Sequence, residues 1–129
     1  MPRPASSEPT TGELEILQIL WDAGPLALSQ LCEKIRAQRP VATTTVATML
    51  TVMLKKQLVR RARVARGSLW SARLSRKSTA NGMLSGLLDR LFHGSAKTLV
   101  AHLIEDGRLT AGQRRKILDL LRNGKGETP

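Results

Sequence analysis

The chain is 129 residues long, enough for one domain or a small domain with an appendage, and its 21 Lys and Arg against 10 Asp and Glu give a formal charge of +11. No apolar run approaches the ~20 residues of a membrane span, the first ten residues lack the apolar stretch of a secretion signal, and the lone Cys32 excludes an intramolecular disulfide and suits a reducing cytoplasm. Trp21, Trp70 and Phe92 are the only aromatic residues, too few for a surface that stacks single-stranded bases.

Residues 1–9, with three prolines and two serines, read as a loose arm. Thr10-Thr11-Gly12-Glu13 fits a capping box, so a helix is predicted from there to about Ala23, with Leu14, Leu17 and Trp21 on one stripe and Ile16, Ile19 and Leu20 beside it. Gly24-Pro25 stops it. A second helix runs from about Leu28 to Gln38, carrying Leu28, Leu31, Cys32 and Ile35 at i, i+3, i+4 and i+7. It ends before Pro40, because the residue preceding a proline is pushed out of helical space.

The third helix, from about Thr43 to Gln57, has Val46, Met49, Leu50, Met53 and Leu54 as its apolar stripe. Its opposite face carries Thr44, Thr48, Thr51 and Lys55, flanked by Thr45, Val52 and Lys56, with no carboxylate. Leu58 to Val64 and Ser68 to Arg73 are β-prone runs around the turn Ala65-Arg66-Gly67, a hairpin loaded with Arg60, Arg61, Arg63, Arg66 and Arg73. Three helices followed by a basic hairpin spell a winged helix-turn-helix.

Beyond it, a helix from Ser75 to about Phe92 is followed by a break at Gly94-Ser95 and a short helix with Leu99, Val100, Leu103 and Ile104. Thr110-Ala111-Gly112-Gln113 is a second capping box, opening a last helix with Ile117, Leu118, Leu120 and Leu121 that ends at Gly124. These three helices are apolar on more faces than one short bundle covers. The surplus predicts a homodimer buried through Leu84, Leu87, Leu88, Leu91, Leu99, Leu103, Ile117, Leu118 and Leu121. The expected organisation is therefore mainly α with a small β-hairpin: an arm at 1–9, a winged helix-turn-helix DNA-binding domain at 10–74, a helical dimerisation domain at 75–122 and a tail at 123–129.

Charge sharpens this reading. From Lys34 through Leu88 there is no Asp or Glu, although twelve of the basic residues lie there. Such a block suits a polyanion, since Lys and Arg displace counterions from phosphates; a solvated face kept charged for solubility is the alternative. A recognition helix enters the major groove by its N-terminal residues, here Thr43, Thr44, Thr45 and Thr48. Threonine donates or accepts a hydrogen bond and packs its methyl on thymine, so a thymine-containing half-site is expected. The bland alternative makes these threonines merely the exposed side of an amphipathic helix. Thr51, Lys55, Lys56, Arg60, Arg61, Arg63 and Arg66 are candidates for phosphate or wing contacts, which position without reading sequence, with Arg66 a candidate for the adjacent minor groove. Trp70 either stacks on the sugar-phosphate backbone or packs the hairpin onto the third helix.

Enzyme chemistry finds no support. His93 and His102 are not at metal-ligand spacing with Cys32, no glycine-rich phosphate loop follows a strand, and the basic block holds no carboxylate pair. No catalytic residue, cofactor or metal is expected. Three readings stay open: a sequence-specific repressor, an architectural nucleoid-type protein that binds duplex DNA without sequence preference, and a protein-interaction module.

Glu13-Leu14-Glu15-Ile16-Leu17, Leu20-Trp21, Gly24-Pro25 and especially Ala42-Thr43-Thr44-Thr45-Val46-Ala47-Thr48-Met49-Leu50 resemble the penicillinase-repressor family of transcriptional regulators. Leu91-Phe92-His93-Gly94-Ser95 and its spacing to Leu99-Val100 are similar to that family's C-terminal half. The resemblance implies a cytoplasmic homodimer on an inverted-repeat operator, commonly with TACA/TGTA half-sites, repressing a neighbouring operon. It further implies release by proteolysis after a membrane-associated metalloprotease senses a β-lactam or cell-envelope stress. The family's cleaved Asn-Phe bond aligns with His102-Leu103 here. Gln57 stands where the family usually has glycine, and the paired C-terminal cysteines of copper-sensing members are absent.

Overall fold

The computed structural model describes residues 8–123. The element order is α1 (Thr11–Ala23), α2 (Leu28–Arg36), α3 (Thr43–Lys55), β1 (Val59–Val64), β2 (Gly67–Ala72), α4 (Arg76–Leu91), α5 (Ala96–Glu105) and α6 (Ala111–Asn123). The architecture is mainly helical with one hairpin, as the sequence predicts. The chain divides into two compact units between Met83 and Leu84, so the first two turns of α4 belong to the N-terminal unit. The sequence pattern alone starts the C-terminal region at residue 75.

The N-terminal unit is built by local signals that agree with its core. The capping box forms: Glu13 N–H donates to Thr10 Oγ1 at 3.2 Å and Thr10 N–H to Glu13 Oε1 at 2.9 Å, satisfying two of the amides a helix start leaves unpaired. Helix α2 begins with Gln30 Oε1 accepting from Ala27 N–H at 2.8 Å. The two helices and α3 close over Ile16, Leu17, Leu20, Leu31, Cys32, Ile35, Val46, Leu50 and Met53, all buried. Burial of such side chains contributes roughly 1.5–3 kcal/mol each before the entropy of ordering is counted. Cys32 is fully buried there and serves packing. On α3 the buried stripe is narrower than predicted: Met49 is only half-buried and Leu54 is exposed.

Helix α3 ends two residues earlier than its periodicity suggests, because Gln57 adopts φ +64. Leu58 N–H donates to Met53 O at 2.9 Å and Gln57 N–H to Leu54 O at 3.1 Å, the paired bonds of a Schellman ending. The strands pair antiparallel, with Val59 opposite Ala72, Arg61 opposite Trp70 and Val64 opposite Gly67, so Ala65-Arg66 is a two-residue turn. Strand β2 lies against α1 and α2, and β1 against α3. Trp70 is buried and exchanges backbone bonds with Leu26, at 2.9 Å and 2.7 Å. The backbone of Trp70 thus pins the hairpin to the α1–α2 connection, while its ring joins the core that includes Leu50 and Met53 of α3 and is not available to a sugar-phosphate backbone.

In the C-terminal unit, Ser95 caps α5 by accepting from Thr98 N–H at 3.1 Å, and the second capping box forms between Thr110 and Gln113 at 3.0 Å and 3.1 Å. The Phe92 and His102 rings meet edge to face with centroids 5.2 Å apart. No described residue of α5 or α6 is buried.

Candidate nucleic-acid interface

The face of α3 turned from the core exposes Thr44, Thr45, Thr48, Thr51, Val52 and Lys55, one stripe by helical periodicity. Its N-cap is Ala42, which has no side-chain acceptor, so α3 starts without a side-chain cap. The restraint comes from α2 instead. Arg36 Nε donates to Val41 O at 2.9 Å and its Nη2 to Thr43 Oγ1 at 2.7 Å. Thr43 is exposed, with its hydroxyl engaged on the Arg36 side. Thr51 differs: its hydroxyl donates to Ala47 O at 3.1 Å. A phosphate oxygen only accepts, so Thr51 in this rotamer is a poor phosphate ligand, contrary to the sequence expectation.

The wing arginines do not share one face. Strand alternation puts Arg61 and Arg63 on the side of buried Val59, and Arg60 on the opposite side with Ala62 and exposed Val64. The Arg61 guanidinium lies 5.6 Å from the Trp70 ring centroid, its cross-strand partner, an orientation that suits a cation–π contact. Arg66 occupies the turn and is exposed. Arg60, Arg63, Arg66 and Lys55 thus present charge around α3 and the hairpin tip, with no carboxylate on either element.

Lys56 is the clear correction. Its ammonium sits 2.7 Å from Glu13 Oε1, and it also donates to Glu8 O at 3.4 Å. With its side chain 14% exposed, it is part of the fold rather than a phosphate contact. Burial opposes charge on Glu13. The Lys56 ammonium and the Thr10 amide and hydroxyl together outweigh it, holding the carboxyl below its ordinary value. Arg39, also in the basic block, reaches Glu15 Oε1 at 2.7 Å, and that carboxylate raises its pKa further.

Sequence reasoning misses Arg36. The available signal is a basic residue in the last turn of α2 preceding an α3 whose N-cap, alanine, has no cap of its own. Among the residues expected at a dimer interface, Leu84, Leu91, Leu118 and Leu121 are exposed, while Leu87, Leu88, Leu99, Leu103 and Ile117 are half-buried. The His102–Leu103 bond lies inside α5. Among the described residues no group of three His, Cys, Asp or Glu side chains could hold a metal ion, and no helix is long and apolar enough to cross a membrane.

A three-helix core, a solvent-facing hydroxyl and cation stripe on α3, and an arginine-bearing hairpin pinned beside it define a winged helix-turn-helix DNA-binding protein. The sequence profile described as "Penicillinase repressor" matches residues 9–123. The chain belongs to the penicillinase repressor family, and the protein is a DNA-binding transcriptional repressor, not an enzyme. It is similar to the penicillinase repressor of Staphylococcus aureus, with 19% identity over 114 residues, covering 88% of this chain and 90% of that one. Among solved structures it is similar to a single-residue mutant of Lactococcus lactis ZitR, at 17% identity, TM-score 0.46, and coverage of 95% of this chain and 77% of that chain. It is also similar to an ArsR-like transcriptional regulator from Rhodococcus sp. RHA1, at 23% identity, TM-score 0.43, and coverage of 70% and 76%.

Proposed function

We propose that the protein represses transcription as a homodimer on an inverted-repeat operator, each protomer laying α3 in a major groove. The observation that carries the reading is the α3 face: threonines and Lys55 exposed in a stripe free of acid, backed by Val46, Leu50 and Met53 at 0% exposure. Thr43, Thr44, Thr45 and Thr48 are the proposed base readers, favouring thymine through their methyl groups. Lys55, Arg60, Arg63 and Arg66 supply phosphate contacts and most of the affinity. The dimer forms through the C-terminal unit, where Leu91, Leu118, Leu120 and Leu121 are each more than half exposed in the single chain.

Release is proposed to follow proteolysis in a β-lactam or cell-envelope stress response, acting through a membrane-associated metalloprotease pathway. The bond in question, His102–Leu103, is helical, so cleavage there requires α5 to unwind locally first.

Gel shifts with the DNA flanking its own gene, against scrambled duplex at physiological salt, test the reading. A sequence-specific repressor binds its site at least ~10³-fold more tightly. Equal affinity for both duplexes makes the protein an architectural DNA binder and overturns the operator reading.

A further inference from the structure

We infer that Arg36 is a positioning residue, which turns the Thr43 hydroxyl into a hydrogen-bond donor toward DNA. The inference rests on the proposed reading of α3 as the base-reading helix.

A threonine hydroxyl has one hydrogen and two lone pairs, whereas a guanidinium only donates. Arg36 Nη2 lies 2.7 Å from Thr43 Oγ1, so one lone pair is taken and the hydrogen must point elsewhere. The second bond, from Nε to Val41 O at 2.9 Å, holds the guanidinium in place from the connection that leads into α3. Thr43 is the first residue of α3 and is exposed, and no described group accepts its hydrogen. Charge assistance strengthens the bond that sets this orientation. The stripe is therefore graded. Thr43 is fixed as an outward donor, Thr44, Thr45 and Thr48 have hydroxyls without a described partner, and Thr51 is left as an acceptor by its bond to Ala47 O.

The group recognised by Thr43 is an acceptor: a phosphate oxygen, or a base acceptor such as thymine O4 or guanine O6. An amino group of cytosine or adenine meets only the one remaining lone pair, not this hydrogen.

The test is binding, by fluorescence anisotropy over a range of salt, to the duplex that the protein protects in footprinting. The proteins are wild type, Arg36→Gln, Thr43→Val, Thr43→Ser and the Arg36→Gln/Thr43→Val double variant. Each of Arg36→Gln and Thr43→Val should weaken binding about fivefold or more, and the double variant no further than the worse single one. Thr43→Ser should bind nearly as wild type, and the salt slope of Arg36→Gln should match wild type. Additive losses, or a slope lowered by about one unit in Arg36→Gln as for a direct phosphate contact, overturn the inference. If Arg36→Gln fails to fold, Thr43→Val against Thr43→Ser still decides, since equal affinity of the two overturns it.

The source of the acceptor is read from two further duplex sets. If Thr43→Val flattens preference at one base pair, the acceptor is a base edge. If it weakens all sequences alike and a methylphosphonate at one position abolishes the difference, the acceptor is a phosphate. Dependence on neither overturns the inference. Failure of the parent reading looks different: sequence preference would then survive Thr44→Ala and Thr48→Ala together.

Discussion

Lys56 Nζ lies 2.7 Å from Glu13 Oε1, an ion pair that ties the C-cap of α3 to the first turn of α1. Glu13 is also the reciprocal residue of the Thr10 capping box, so one carboxylate serves a helix start and a tertiary contact at once. Because both side chains are largely out of water, removing one partner leaves the other charge poorly compensated. Lys56→Met should therefore cost about 2–3 kcal/mol in stability by urea denaturation. The slope of log K against log salt for operator binding should stay as in wild type, whereas Arg60→Ala and Arg66→Ala each lower it by about one unit. A reduced slope in Lys56→Met would return Lys56 to the phosphate contacts.

The same pair sets an acid limit on the fold. The folded state holds the Glu13 carboxyl below its ordinary value of 4.5, so the folded protein keeps this proton off where the unfolded chain takes it up. The contribution is complete above the unfolded value and is lost as pH falls through the folded one. Urea midpoints should be insensitive to Glu13 from pH 7 to 5 and decline below about 4.5. Glu13→Gln should be less stable at neutral pH and show a shallower decline there. A parallel decline in the two proteins would assign the acid limit to other carboxylates.

Two helices close with the same ending but different residues at the left-handed position. After α5, Gly107 takes φ +72, with Arg108 N–H donating to Leu103 O at 3.1 Å; after α3, Gln57 takes φ +64. A side chain there is strained by its Cβ, a strain glycine lacks. Gln57→Gly should stabilise the protein by about 0.5–1 kcal/mol, net of the greater freedom of glycine in the unfolded chain. Gly107→Gln should destabilise by a similar amount. Both are read from denaturant midpoints at unchanged m-value.

What was legible in the sequence is what local spacing dictates. Both capping boxes, the apolar stripe of α3 from Val46 to Met53 and the hairpin around Ala65-Arg66 follow from intervals of three, four and two residues. The Lys56–Glu13 pair spans 43 positions, and nothing in the interval announces it; a lysine after a recognition helix looks like any phosphate contact. Trp70 bonds to Leu26 because the free edge of β2, opposite β1, faces the α1–α2 connection, a relationship no period encodes. The arginine run reads as one wing, although alternation along β1 divides Arg60 from Arg61 and Arg63. The role of Arg36 depends on a turn bringing residues seven apart within 2.7 Å.

Base reading by α3 has its own signature. Thr44 and Thr48 are exposed one turn apart on α3, so replacing both by alanine removes hydroxyls and methyls without opening the core. Stability should change by under about 0.5 kcal/mol. Discrimination between the operator and a duplex with its thymines exchanged should fall about tenfold or more, at about 1–3 kcal/mol per good base contact. Binding to non-operator DNA should hold, since the arginines and Lys55 remain. Loss of affinity for both duplexes alike would make these threonines backbone contacts.

The dimer gives the last prediction. Leu118 and Leu121 are 52% and 75% exposed on α6, one turn apart on the face that also holds half-buried Ile117. Leaving that surface in water is unfavourable by roughly 25 cal/mol per Å², and the proposed dimer would cover it. A charge placed there must be desolvated if the dimer forms, which costs several kcal/mol without a partner. Leu118→Glu and Leu121→Glu should therefore sediment as monomers at micromolar concentration, where wild type sediments as a dimer. Because two linked readers hold the operator at an effective concentration that one reader lacks, operator affinity should fall by about 10²-fold or more, while weak binding to a single half-site survives. Dimers persisting in both variants would place the interface on other exposed leucines, Leu120 of α6 or Leu84 and Leu91 of α4. Monomeric wild type at that concentration would remove the dimer altogether.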